Sequence, residues 1–167
     1  MLVTSFITSK IDNCKVALAG LPQRDLDRIQ SVLNAAARLT ADARKFNHVT
    51  PLLVNLHWLR VPERIQYKLC VVVHRCLNGA APQYLSELIQ PLSDVDSRRR
   101  LRSASTAEVL VQAMWSSTIG DRALAVACPR AWNSLPVDLF LSGTFFTFKA
   151  HLKSHLFNIS MISFPSV

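Results

Sequence analysis

Hydrophobic positions recur along most of this chain at helical spacing. Between Pro22 and about Arg44, the residues Leu26, Ile29, Leu33, Ala36 and Ala37 fall on one face of a 3.6-residue period. Pro62 opens a second long helix, PERIQYKLCVVVHRCLNG, in which Ile65, Leu69, Val72 and Cys76 stack turn upon turn until Gly79 supplies a left-handed stop. Near the C-terminal end, from Thr144 to Phe157, Phe145, Phe148, Leu152 and Leu156 form an apolar stripe, with Lys149, His151, Lys153 and His155 around the rest. Three shorter segments read the same way. Residues 2–19 carry Phe6, Ile7, Ile11, Cys14, Val16 and Leu18 at spacings that predict a helix ending at Gly20. PLLVNLHWL, from Pro51, predicts a helical turn or two that lays Leu52, Leu53, Leu56 and Trp58 into the core. PQYLSELIQ, from Pro82 to Gln90, predicts a short helix closed by Pro91.

The pattern breaks at residues 91–106, PLSDVDSRRRLRSAST, which are polar and charged with little periodicity. AEVLVQAM, just beyond, is too short for periodicity to choose between strand and helix, and Thr118 to Ala127 reads as a helix interrupted at Pro129. The expected fold class is mostly α: a helical bundle of about five to seven helices, with a polar loop near the middle and room for one short strand pair in the second half. The organisation that follows is a helical region 1–90, a basic polar linker 91–106 and a helical tail region 107–167.

Composition agrees with helices joined by proline-marked turns, since the chain has four glycines against eight prolines. With 167 residues, half of them hydrophobic, it is long enough for one compact core. Charge adds a partner class. Nineteen Lys and Arg stand against eleven Asp and Glu, for a net charge of +8, and thirteen of the nineteen are Arg, the side chain best suited to bidentate phosphate contact. Two basic stripes face away from the apolar ones: Arg24, Arg28 and Arg38 on the first long helix, and Arg64, Lys68 and Arg75 on the second, the latter three within about 40° of one another at 100° per residue. The densest run is Arg98, Arg99, Arg100 and Arg102 in the polar segment, which suits phosphate contact, a nuclear import signal or a solvated loop. No leader pattern opens the chain and no apolar run reaches the ~20 residues of a membrane span, so the sequence reads as soluble and intracellular, cytoplasmic or nuclear, without membrane contact.

Catalytic chemistry finds little support. Cys14, Cys70, Cys76 and Cys128 form no C-x-x-C pair, which argues against metal binding by cysteine and for reduced, buried thiols. Cys128 lies in GDRALAVACPRAWNSLP among small apolar residues, and no histidine is singled out as its base, so packing is the simpler account. His151 and His155 have the i, i+4 spacing of a helical metal pair but no adjacent carboxylate. Asp94 and Asp96 sit beside the arginine run, where charge balance explains them better than a two-metal site. No phosphate-cradling glycine loop, nucleophile elbow or kinase motif is present. No cofactor is expected.

The order of six phrases carries a more specific signal. FITSKIDNCKVALAGLP, LDRIQSVLNAAARLT, KFNHVTPLLVNLHWLRVPERIQYK, LNGAAPQYLSELIQP, GDRALAVACPRAWNSLP and TFKAHLKSHLF together resemble the C-terminal region of reverse transcriptases of non-LTR retrotransposons, of the LINE type similar to Jockey and chicken-repeat elements. The resemblance runs over residues 5–157. It implies thumb-like helices and a helical tail that follow a polymerase palm, whose aspartates hold the Mg²⁺ ions of an RNA-directed DNA polymerase. This chain has no Asp-Asp pair, so it implies a non-catalytic fragment rather than an enzyme. On that resemblance the two basic stripes would face phosphates of RNA or DNA, as template-primer or element RNA, in weak and salt-dependent contact. The surface normally covered by the palm would be open to self-association or to a protein partner; a relic with no selected function fits the same residues. The chain departs from the family at Asp12, Asn13, Cys14 and Lys15, where members commonly read Asp-Tyr-Cys-Asn, and at Cys128, where they carry small or apolar residues.

Overall fold

Prolines and left-handed residues set the ends of the helices. The computed structural model describes residues 2–13, 15–94, 107–113, 122–140 and 143–162. Helix α1 (Leu2–Asn13) passes into a 3₁₀ turn at Lys15–Leu18, and the chain reverses at Gly20, whose φ of 69° suits a residue without Cβ. Pro22, extended at ψ 145°, starts α2 (Gln23–Thr40), its carbonyl accepting the Asp25 and Leu26 N–H groups. Helix α3 (Val49–Asn55) begins two residues before Pro51, so the proline lies in the first turn, where its missing N–H costs nothing. Helix α4 (Val61–Leu77) ends in a Schellman turn: the Ala80 N–H bonds the Arg75 carbonyl at 2.9 Å and the Gly79 N–H bonds that of Cys76, with Gly79 at φ 65°. Then come α5 (Gln83–Ser86), a 3₁₀ turn at Leu92–Asp94, α6 (Leu124–Asn133), a 3₁₀ turn at Val137–Leu139 and α7 (Phe145–Ile162). The fold is mostly α, with seven α-helices among the described residues.

Two compact units divide the chain, one formed by Met1–Ile65 with Ser154–Val167 and the other by Gln66–Lys153. The division falls within α4 and within α7, not at the edges of residues 91–106. Composition marks where the chain is polar, whereas compactness follows which apolar faces meet.

In the first unit α2 packs against α1 and α3. Its inner face buries Leu33, Ala36 and Ala37, while Leu26 and Ile29, on the same stripe, are half-buried. Full burial of Leu33 stabilises by about 2 kcal/mol. Gln30 ties the helix to the start of α4: its Oε1 accepts the Val61 N–H at 2.8 Å, one of the orphan donors of a helix N-terminus.

In the second unit the α4 residues Leu69, Cys70, Val71, Val73 and Cys76 are all buried, a wider arc than one amphipathic stripe. Helix α6 buries Ala125 through Pro129 and Trp132. It therefore continues through Pro129 rather than breaking there, while the earlier part of the predicted helix, residues 118–121, lies outside the described residues. A proline inside a helix forfeits one hydrogen bond, at a cost of about 3 kcal/mol. Burial on both sides of Pro129 offsets that loss. Trp132 donates its indole N–H to the Ala107 carbonyl at 2.7 Å, and its ring meets Phe140 and Phe148 with centroids 4.9 and 5.6 Å apart.

AEVLVQAM adopts neither strand nor helix over its described part. Among the described residues there is no strand, and the expected strand pair reduces to one antiparallel bridge between Pro91 and Val109. The Leu92 N–H bonds the Glu108 carbonyl at 2.9 Å and the Leu110 N–H bonds that of Gln90 at 2.8 Å. Those bonds flank the bridged pair, so Pro91 sits where a donor is not called upon.

Candidate nucleic-acid interface

The basic stripe on α2 largely keeps the exposure that a phosphate-facing surface needs. Arg24 and Arg28 are exposed, and Arg28 reaches the Asp25 carboxylate only at 3.5 Å, with both side chains well solvated. Arg38 is half-buried and donates from Nε to the Asn47 carbonyl at 3.3 Å, which draws it toward the loop after α2. Exposed apolar groups lie beside these arginines: Val32, Leu39 and Phe46 are 54%, 65% and 90% exposed.

The stripe on α4 does not survive as a set. Arg64 is 8% exposed, donates Nε to the Leu59 carbonyl at 2.7 Å and Nη1 to the Asp12 carboxylate at 2.9 Å, and lies 5.8 Å from the Trp58 ring centroid. Its donors are taken up within the first unit by the Leu59 carbonyl and the half-exposed Asp12, so it does not belong to an exposed basic face. Helical angle alone placed it there; the chain entering α4, with Trp58 and Leu59, covers that end of the helix. Lys68 and Arg75, in the second unit, are exposed. Arg98, Arg99, Arg100 and Arg102 lie outside the described residues.

One feature of the second unit was not singled out from the sequence. Phe145 has two cations on its ring: the Arg75 guanidinium carbon is 5.6 Å and the Lys149 Nζ 5.3 Å from the centroid. The i, i+4 spacing of Phe145 and Lys149 is legible in the chain, but Arg75 joins them only through the packing of α4 beside α7 within this unit.

The cysteines are structural. Cys128 is fully buried, with its sulfur 3.9 Å from the Leu69 carbonyl, and burial, with a smaller contribution from Cys76, pushes its thiol up to about 12. Cys70 is raised further by the same burial and by Cys128, and Cys76 is raised by burial. A thiol held protonated is no nucleophile near neutral pH. His74 is shifted the other way, burial lowering its imidazole as it stacks on Phe148 at 4.3 Å. Among the described residues no group of three or more His, Cys, Asp or Glu side chains is placed to hold a metal ion, and no helix is long and apolar enough to cross a membrane. No family model, curated protein or solved structure matches the chain.

Proposed function

We propose that this chain is a non-catalytic, C-terminal piece of a non-LTR retrotransposon RNA-directed DNA polymerase that binds RNA or DNA through basic helix faces. The six ordered phrases support the origin. The observation that carries the binding is the exposure of Arg24 and Arg28 on α2 and of Lys68 and Arg75 on α4, in a chain of net charge +8. Such contacts read phosphates and not bases, so affinity is low, insensitive to sequence and steeply dependent on salt. Fluorescence anisotropy with a structured RNA and a DNA primer-template, titrated between about 50 and about 200 mM salt, tests this. Binding that collapses over that range is the expected result, and no binding at the lower salt overturns it.

A second reading rests on Val32, Leu39 and Phe46, three exposed apolar side chains at or just beyond the outer face of α2. They suit self-association or a protein partner better than they suit phosphate. Size-exclusion chromatography with light scattering separates the two: a dimer that persists without nucleic acid and dissociates on Leu39→Asp and Phe46→Asp supports this surface, and a monomer at every concentration removes self-association.

A further inference from the structure

Within the second unit, the C-terminal turn of α4 and the first turn of α7 enclose a cavity of about 230 Å³, lined by His74, Arg75, Asn78, Gly143, Thr144 and Phe145. We infer that this cavity, with Lys149 on the ring of its lining residue Phe145 and the exposed Phe146 next in the chain, is a binding site for one nucleotide unit of a single-stranded nucleic acid, the phosphate held by Arg75 and Lys149 and the base on the Phe146 ring. The inference rests on the nucleic-acid reading above and assigns it a place.

Charge comes first. Arg75 and Lys149 approach the same ring, 5.6 and 5.3 Å from the Phe145 centroid, which places the two like charges within about 11 Å of one another. Neither makes an ion pair with a carboxylate among the described residues. An anion reached by both lowers that repulsion, and a phosphodiester suits a guanidinium and an ammonium together. The site does not depend on the helix terminus, because the Thr144 hydroxyl already takes the Thr147 N–H at 3.2 Å.

An exposed aromatic ring follows the lining residue Phe145 in the chain. Phe146 is 80% exposed, and at 100° per residue Lys149, Lys153 and Phe146 share an arc of about 60° on α7. Both lysines thus lie to one side of a ring that stands largely in solvent. Interleaved cations and exposed aromatics are the pattern by which proteins hold single strands, with phosphates on the cations and bases on the rings. Volume points the same way. The cavity is smaller than the roughly 300–1,000 Å³ of pockets that enclose a whole drug-sized ligand, so it admits a phosphate with part of its sugar and leaves the base outside.

The floor is held rigid. His74 stacks on Phe148 at 4.3 Å, Phe148 meets Trp132 at 5.6 Å, and the Asn78 amide is fixed by a 2.7 Å bond to the His74 carbonyl. A site built on packed helices is in place before its ligand arrives.

The test is anisotropy of a fluorescein-labelled single-stranded RNA oligonucleotide at low salt, with wild type, Phe146→Ala, Lys149→Gln, and the double variant Arg24→Gln/Arg28→Gln as comparison. Phe146→Ala is expected to weaken binding about tenfold, as loss of one stacked base does. Lys149→Gln is expected to lower the salt slope by about 0.7, the share of one phosphate contact on a single strand. Circular dichroism melts check that each variant is folded; if Lys149→Gln is not, Phe146→Ala decides, since its side chain lies in solvent. Wild-type binding that Phe146→Ala and Lys149→Gln leave unchanged, while the α2 double variant weakens it, overturns this site and leaves the broader reading standing. No binding by wild type overturns both.

Discussion

Asn133, the last residue of α6, takes both backbone groups of Val109 with its side-chain amide: Oδ1 accepts the Val109 N–H at 3.0 Å and Nδ2 donates to the Val109 carbonyl at 2.9 Å. The side chain stands in for a neighbouring strand. Val109 is bridged to Pro91 on its other edge, so a single extended residue is held on both sides without a sheet. Trp132, one residue earlier, anchors the same segment through the Ala107 carbonyl.

Asn133→Ala removes both bonds and takes the side-chain partner from both backbone groups of the buried Val109. It is expected to destabilise by about 1–3 kcal/mol. In thermal denaturation that corresponds to a drop in Tm of about 2–10 °C for a chain of this size. A melt superimposable on wild type would show that water replaces the amide without loss.

Arg64 and Arg24 separate structure from binding. Arg64→Ala breaks the bond to Leu59 and the pair with Asp12, and is expected to cost about 1–3 kcal/mol in urea denaturation. Arg24→Ala, on the exposed face, is expected to leave stability within about 0.5 kcal/mol of wild type. Nucleic-acid affinity should respond in the opposite order. If Arg24→Ala leaves the salt dependence of binding untouched, the α2 face is not a phosphate surface.

The thiols impose an alkaline limit. Cys128 is raised in the folded state to about 12 from an ordinary value of 9.0, so folding favours the protonated form. Its contribution is present in full below pH 9.0 and is lost as pH rises toward 12. Between those limits stability falls with pH, and Cys128→Ala flattens the fall. A thiol reagent near neutral pH is expected to label Cys70 and Cys128 only at the rate at which the unit opens. Immediate labelling in native protein would contradict their burial.

His74 gives an acid limit of the reverse sign. Burial lowers its imidazole below the ordinary 6.5, so the folded state favours the neutral ring. That contribution is present above pH 6.5 and is lost as pH falls through the lowered value. Denaturant midpoints are expected to decline on acidification from pH 6.5, and less so in His74→Phe, which keeps an aromatic ring against Phe148. Equal declines in both proteins would place the acid sensitivity elsewhere.

Local rules carried far along this chain. The inner face of α2, the stop at Gly79 and the Phe148, Leu152 and Leu156 stripe of α7 are all legible as period and punctuation, because helical geometry and backbone sterics act within a few residues. The exposed arginines of α2 follow from the same geometry. What period alone could not decide was which polar residue would be covered. Arg64 sits at the angle of a surface residue, and only Asp12, 52 positions away in sequence, together with Trp58 and Leu59, makes it an interior one. Pro129 reads locally as a helix breaker, yet tertiary burial outweighs one lost hydrogen bond. Val109 has no periodicity to declare it, because its partners are a proline on one side and an asparagine side chain on the other. The sequence thus determined where helices form and which faces are apolar. Tertiary structure alone decided that Arg64 would leave the basic face, and it brought Arg75 to the Phe145–Lys149 pair, since contacts across tens of residues are set by packing and not by spacing.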